Sequence, residues 1–330
     1  MNLTALIPTR NCASLVPGHL ESMQPWLGLA GEVVIVDSDS SDGTVDALRN
    51  GISHPSVRFL NHPPGLYQSW NHGFQNAREK YVYVSTVGDS ITADGIRHLV
   101  EVAEKFQSDV VISKPQFIDA AGRPLTDQRW PIDDILDRLQ ITAPELLTPE
   151  EQFFFALTNT WGAILGSSAS NLYRADCLRR FPFPTDFGTA GDGGWGILHA
   201  FEVKIAITPN RFSTFRYHPK AYAASEYHVD SLAIKLFQTA QRVLASEREK
   251  NSRPLLESLR LPELQERLDR HLSQQRELEK SRHAPIPWIF NPTAWQARRL
   301  RNVEGRAVDR IKDEVATAFR RQRLQAKSTS

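Results

Sequence analysis

Carboxylates recur just beyond apolar runs in this chain. In VVIVDSDSSDGTVDAL (residues 33–48), four apolar residues lead straight into Asp37, Ser38, Asp39, Ser40, Ser41 and Asp42. A second run, YVYVST (81–86), leads to Asp89. Unbroken apolar runs are the pattern of strands covered on both faces, as in a parallel sheet between helix layers. In such sheets ligands bind outside the carboxyl ends of the strands. Carboxylates placed there can hold a nucleobase through its ring N–H, a ribose through its hydroxyls, or a divalent metal that neutralises phosphate oxygens. Those are the requirements of a nucleoside-diphosphate site. The competing reading of residues 37–42 is that they only cap a helix.

The elements that must position these residues alternate in type. LTALIP (3–8), EVVIVD (32–37), VRFL (57–60), YVYVST and DVVIS (109–113) read as strands. Between them, Pro17 starts a helix with Leu20, Met23 and Leu27 on one face, and Thr44, Val45 and Leu48 fit a short one. Leu66, Trp70, Phe74 and Ala77 recur at helical spacing, and Thr92 is placed as the N-cap of a helix carrying Ile96, Leu99, Val100, Ala103 and Phe106. Alternating strands and helices predict right-handed crossovers and a mostly parallel, Rossmann-like sheet. Residues 114–226 are less regular. They include a glycine-rich passage, FGTAGDGGWGILHAFEVKIAITP (187–209), with a helix and a late strand, KIAIT.

From about Tyr227 the chain is charged and helical, and Pro285, Pro287 and Pro292 divide this extension. Arg298, Arg299, Arg301, Arg306, Arg310 and Lys312 make its last helix basic, with Arg320, Arg321 and Arg323 near the end. Such a run reads as a solvated face. Its alternative is a peripheral membrane or oligomer contact, with Trp288, Ile289, Phe290 and Trp295 as apolar anchors on anionic lipid or a partner.

Composition narrows the function classes. With 330 residues, 41% hydrophobic, 23% charged and a formal net charge of +1, the chain is neither disordered nor a basic nucleic-acid binder. Two distant cysteines, Cys12 and Cys177, give neither a disulfide framework nor a zinc ribbon. No P-loop or H-E-x-x-H motif occurs. GTAGDGG (188–194) departs from the dinucleotide fingerprint in both spacing and position, which argues against a nicotinamide cofactor. GSSAS (166–170) ends in Ser170 where a nucleophile elbow requires glycine. With no apolar run long enough to span a bilayer and no basic leader, a cytoplasmic location is expected, with peripheral contact to the inner face of the membrane as its variant.

ALIPTRN, EVVIVDSDSSDGTVDAL and GLYQSWNHGFQNAREKYVYVSTVGDSI, in that order, resemble the nucleotide-sugar half of family 2 glycosyltransferases. The likeness resumes at GSSASNLYRADCLRRFPFP and GDGGWGILHAFEVKIAITP and stops near His218. It implies the GT-A fold over residues 1–226, with a donor-nucleotide half (1–113) and an acceptor half (114–226), followed by the helical, basic extension 227–330. It implies inverting transfer from a nucleoside-diphosphate sugar to the hydroxyl of a glycan or lipid-linked acceptor in cell-surface polysaccharide biosynthesis. Pro8, Thr9, Arg10 and Asn11 stand in the family's first turn, and Asn71, Gly73 and Ala77 in its helix motif, so the resemblance implies that Pro8 and Asn71 lie at the donor. On the same likeness Thr9, Arg10, Asp37 and Ser38 contact the base and ribose.

The family's D-x-D region falls on Val87, Gly88, Asp89 and Ser90, so Asp89 alone remains as a Mg²⁺ or Mn²⁺ contact. Asp192 stands where the family places its catalytic base, preceded by Gly191 instead of glutamate. An inverting transfer needs such a base to take the acceptor's proton. Trp195 is expected to offer a face to the acceptor sugar. His218 would complete the metal or diphosphate shell, and Arg216 would assist the leaving group. Two other readings stand beside this one. One is a nucleotide-sugar or glycan-binding module without catalysis. The other is a nucleotidyltransferase, disfavoured because PTRNCASLVPG lacks the glycine-rich loop.

Overall fold

In the computed structural model the described residues are 1–159, 164–217, 229–250, 259–260, 262–264, 266–267, 269–270, 273 and 292–329. They fall into two compact units, residues 1–137 with 141–226, and residues 138–140 with 227–330.

The first unit is built on an eight-stranded sheet. Its strands in chain order are β1 (Leu3–Thr9), β2 (Glu32–Asp37), β3 (Val57–Asn61), β4 (Tyr81–Val84), β6 (Val110–Ser113), β8 (Glu145–Leu146), β9 (Asn171–Arg174) and β10 (Ile205–Thr208). Across the sheet they run β3-β2-β1-β4-β9-β6-β10-β8. β9 lies antiparallel between β4 and β6, and β8 is antiparallel at the edge, so the other six point the same way. Helices α1 (Val16–Leu27), α2 (Thr44–Gly51), α3 (Leu66–Asn76) and α4 (Ala93–Phe106) connect the first strands. β1 and β2 are buried almost throughout, which explains why they read as continuous apolar runs. Thr92 caps α4 by accepting from the Gly95 N–H at 3.0 Å.

After β1 the chain moves to β2 and β3 on one side, then returns to β4 on the other. This reversal at β1 gathers the loops after β1, β2 and β4 along one edge. Pro8 fits inside β1 because even-numbered residues there face β4. That ladder ends where the Ser85 N–H donates to the Leu6 carbonyl, so the missing proline N–H costs no strand bond.

A smaller sheet, in the order β5-β11-β7, is formed by β5 (Ser90–Ile91), β7 (Gln116–Ile118) and β11 (Ser213–Arg216). Four further helices are α5 (Pro131–Leu139), α6 (Pro149–Thr158), α7 (Ala175–Arg180) and α8 (Gly191–Leu198). β9 was not expected from the sequence. It is short and carries Asn171 and Arg174, and Asn171 is accommodated by donating to the Leu165 carbonyl at 2.6 Å. The second unit contains α9 (Val229–Lys250) and α10 (Pro292–Thr329). On α10, Ile311, Val315, Ala316 and Phe319 form a buried stripe, and Arg321 is exposed. His218, Trp288, Ile289, Phe290 and the Trp295 side chain lie outside the described residues. Among the described residues no helix is long and apolar enough to cross a membrane.

Candidate active site

The loops after β1 and β2 are joined by hydrogen bonds from residues that the sequence offered as ligands. The Asn11 backbone N–H donates to the Ser40 hydroxyl and the Asn11 side-chain Oδ1 accepts from the Ser41 N–H, both at 2.9 Å. Asp42 accepts from the Ala13 N–H at 2.9 Å, the Thr44 N–H at 3.1 Å and the Thr44 hydroxyl at 2.5 Å. The Thr44 hydroxyl bond, followed by the Ala13 N–H, holds the Asp42 carboxyl below its ordinary range. Ser40, Ser41 and Asp42 therefore fasten the loop and the start of α2, as the capping alternative expected.

Asp37 differs from them. It is 7% exposed; Oδ2 accepts from the Ser40 N–H at 2.9 Å, and Oδ1 is buried with no protein partner. Register places Thr9 directly opposite Asp37 at the ends of β1 and β2. The Thr9 hydroxyl lies 2.9 Å from Cys12 Sγ, and Arg10 is exposed beside it. An unpaired carboxylate oxygen at the carboxyl end of a buried strand suits a ligand N–H or hydroxyl.

Ser38 is committed to the protein. Its hydroxyl is 2.6 Å from that of Ser69, which donates to the Gly65 carbonyl at 2.7 Å, so Ser38 donates to Ser69. Asn71, expected at the donor, is also committed. Its amide donates to the Phe183 carbonyl at 2.8 Å and accepts from the Phe183 N–H at 2.9 Å. It fastens α3 to the segment before α8, and those two bonds use one of its two N–H groups and one of its two oxygen lone pairs.

Asp89 and Arg216 are brought together at the turn after β4. Asp89 is 7% exposed and accepts the Arg216 backbone N–H at 2.9 Å. Burial pushes its carboxyl up to about 7 against the opposing effects of that N–H and the Arg216 charge. The Arg216 guanidinium donates to the carbonyls of Gly88 at 3.3 Å, Asp119 at 3.1 Å and Ala120 at 2.8 Å. A cavity of about 400 Å³ behind this turn is lined by Ser14, His19, Ser22, Asp89, Thr214 and Arg216, among others. His19 is held neutral there, burial having pushed it down to about 4. Among the described residues no group of three His, Cys, Asp or Glu is placed to hold a metal ion. A divalent cation wants several hard oxygen ligands. Asp89, half protonated near neutrality and already bonded to an N–H, does not make such a site with its described neighbours.

Asp192 lies in the first turn of α8, partly buried, with Oδ1 accepting the Gly193 N–H at 2.8 Å. Burial pushes its carboxyl up to about 6, opposed by the Gly193 N–H and by the Tyr67 hydroxyl. Tyr67 belongs to the first turn of α3 and is 4% exposed. The apolar spacing of α3 had drawn attention to Leu66, Trp70 and Phe74 and passed over Tyr67. Trp195 does not present a face to a sugar. It is fully buried, donates from Nε1 to the Phe181 carbonyl at 2.7 Å and packs against Phe183 with ring centres 5.6 Å apart. Its aromatic character serves the core beneath Asp192.

α3 thus joins the two parts of the site, since Ser69 holds Ser38 of the β2 loop and Tyr67, two residues earlier, stands at Asp192. A mostly parallel sheet with its polar residues at the strand ends, and a small second sheet beside it, make a fold of the GT-A type. The structure of S. aureus TarS residues 1–349 in complex with UDP-GlcNAc has a similar fold, with a TM-score of 0.52 at 16% identity, covering 98% of this chain and 92% of that one. Residues 4–162 match the model of Glycosyl transferase family 2. It is also 28% identical over 128 residues to the succinoglycan biosynthesis protein ExoO of Rhizobium meliloti (strain 1021). That match covers 38% of this chain and 36% of ExoO, so it spans about a third of the relative's length.

Proposed function

We propose that this chain moves a sugar, with inversion, from a nucleoside-diphosphate sugar to a hydroxyl of a glycan or lipid-linked acceptor during polysaccharide assembly. The observation that carries the reading is Asp192. Its carboxyl is held at the start of α8 and tuned to about 6, so it is largely ionised at neutral pH yet basic enough to accept a proton. In the transfer the acceptor oxygen forms a bond to the anomeric carbon as Asp192 takes its proton. The bond between that carbon and the diphosphate breaks, and its electron pair leaves with the nucleoside diphosphate.

Asp37 Oδ1 and the Thr9 hydroxyl hold the base and ribose, with the exposed Arg10 beside them, and Arg216 supplies positive charge near the leaving group. The polysaccharide context rests on the description of ExoO, and the donor class on the UDP-GlcNAc bound to TarS. The basic end of α10, with Arg320, Arg321, Arg323 and Lys327 and no acidic residue after Glu314, would bring the enzyme to an anionic membrane bearing the acceptor. Flotation with phosphatidylglycerol vesicles tests that part.

The second reading, donor binding without transfer, is favoured by the D-x-D region, where Asp89 is the lone carboxylate and is tied to Arg216. Nucleoside-diphosphate release from UDP-, GDP- and dTDP-sugars, with candidate glycan acceptors and with Mg²⁺, Mn²⁺ or EDTA, separates the two. Release that depends on Asp192 supports the transferase. Donor binding without release across acceptors favours the binding module, and loss of release in EDTA would restore a metal to the site.

A further inference from the structure

Tyr67 and Gly191 interlock beside the Asp192 carboxylate. A β-carbon on Gly191 would lie 2.4 Å from Cδ2 and 2.6 Å from Cε2 of Tyr67, so the phenol ring fills the space directly ahead of Asp192. The ring itself is fixed by Trp70 and Phe183, with centroids 5.7 Å and 5.3 Å away. Its hydroxyl donates to the Thr189 carbonyl over a long 3.3 Å, so ring and hydroxyl together grip the turn that carries Asp192, and the same hydroxyl lowers the Asp192 carboxyl. A hydroxyl has one proton to donate, and a charged acceptor makes the stronger bond.

We propose that Tyr67 is the positioning residue of the transfer: its ring against Gly191 and its hydroxyl on the Thr189 carbonyl hold the turn that presents the Asp192 carboxylate to the acceptor. This rests on the reading of Asp192 as the base. The titratable groups facing Asp192 are Tyr67 from α3 and Tyr173 from β9. Tyr173 is itself held by Asn171, whose amide donates to its oxygen at 3.1 Å. Burial, followed by the Asp192 charge, keeps the Tyr67 phenol protonated well above its ordinary range, so it serves as a donor throughout the working pH range.

The test uses the full chain, an active donor and acceptor pair, and nucleoside-diphosphate release followed over about pH 5–9. Tyr67→Phe keeps the ring and removes the donor. The expected result is an unchanged melting temperature, nucleoside-diphosphate affinity within about twofold, and kcat lower by about tenfold. The acid limb of kcat/KM is expected to move to higher pH because the ionised base has lost its donor. Site-specific 3-fluorotyrosine at position 67, a stronger donor of the same shape, is expected to move that limb to lower pH. A limb that stays in place in both variants overturns the proposal, and the fluorinated variant decides the matter if Tyr67→Phe fails to fold. Asp192→Asn separates this inference from its foundation. If that variant is inactive and Tyr67→Phe is indistinguishable from native, only the positioning role fails; if Asp192→Asn keeps native kcat, the assignment of the base fails and takes the inference with it.

Discussion

A β-carbon at residue 191 would stand 2.4 Å from the Tyr67 ring and 2.7 Å from the Pro184 carbonyl oxygen. The site therefore requires glycine where the resembling family carries glutamate. Overpacking of a filled interior typically costs about 1–3 kcal/mol. Gly191→Ala should lose stability on that scale in urea unfolding and lower kcat by displacing Asp192. Gly191→Glu, restoring the family's residue, should be worse. A native midpoint for Gly191→Ala would show that Tyr67 and the Pro184 segment give way freely.

Donor binding should depend on Asp37 and not on Asp192. Asp37 Oδ1 is buried without a partner, so its contribution appears only when a ligand N–H or hydroxyl reaches it. A hydrogen bond to a charged group contributes about 1.5–3 kcal/mol. Asp37→Ala should weaken nucleoside-diphosphate binding by roughly tenfold to a hundredfold in titration calorimetry. Asp192→Asn should bind as the native chain does. Equal losses in both variants would place the nucleotide elsewhere.

The buried acid at the amino end of β2 gives a prediction about the fold. Glu32 is 2% exposed and accepts from the Thr4 hydroxyl at 2.7 Å, the Arg78 N–H at 2.6 Å and Arg58 at 2.8 Å. Burial pushes its carboxyl up, but these partners together outweigh burial and leave it below the ordinary value of 4.5. A depressed folded value stabilises the fold above the unfolded value, and that contribution disappears as pH falls through the folded one. Glu32→Ala should cost about 3–5 kcal/mol at pH 7, as removal of one buried partner does. The difference from native should shrink below about pH 4 in denaturant titrations.

The parallel core was legible because β1, β2, β4, β6 and β10 are buried on both faces, which leaves mostly apolar residues along them, with polar ones chiefly at their ends. β9 was not legible. Asn171 and Arg174 conceal it, and its place between β4 and β6 is a tertiary fact that no local pattern encodes. The strand-end aspartates were visible as a group, but not their division of labour. Asp42 is used up on Ala13 and Thr44, whereas Asp37 keeps an oxygen free, and only the folded loops distinguish the two. Trp195 and Tyr67 show the same limit. Both aromatics beside Asp192 are buried, but only Tyr67 packs on Gly191 and bonds the Thr189 carbonyl in the turn that carries the carboxylate, though residue type alone favoured Trp195.

Asp89 decides whether the turn after β4 is a charged ligand site or a structural anchor. Burial raises its folded carboxyl to about 7 from an ordinary 3.8. A raised value in an acid reverses the usual sign: the fold is penalised progressively as pH rises from about 4 to about 7, because ionisation is easier in the unfolded chain. Asp89→Asn keeps an oxygen to accept the Arg216 N–H and removes the buried charge. If Asp89 is an anchor, that variant should melt at or above the native temperature at pH 8, by about 2–4 °C for each kcal/mol gained, and should match native below about pH 4. Its nucleoside-diphosphate release should then persist and be insensitive to EDTA. Loss of release at an unchanged or higher melting temperature would mean that the ionised carboxylate works at the diphosphate, and that donor binding supplies the energy to keep it charged.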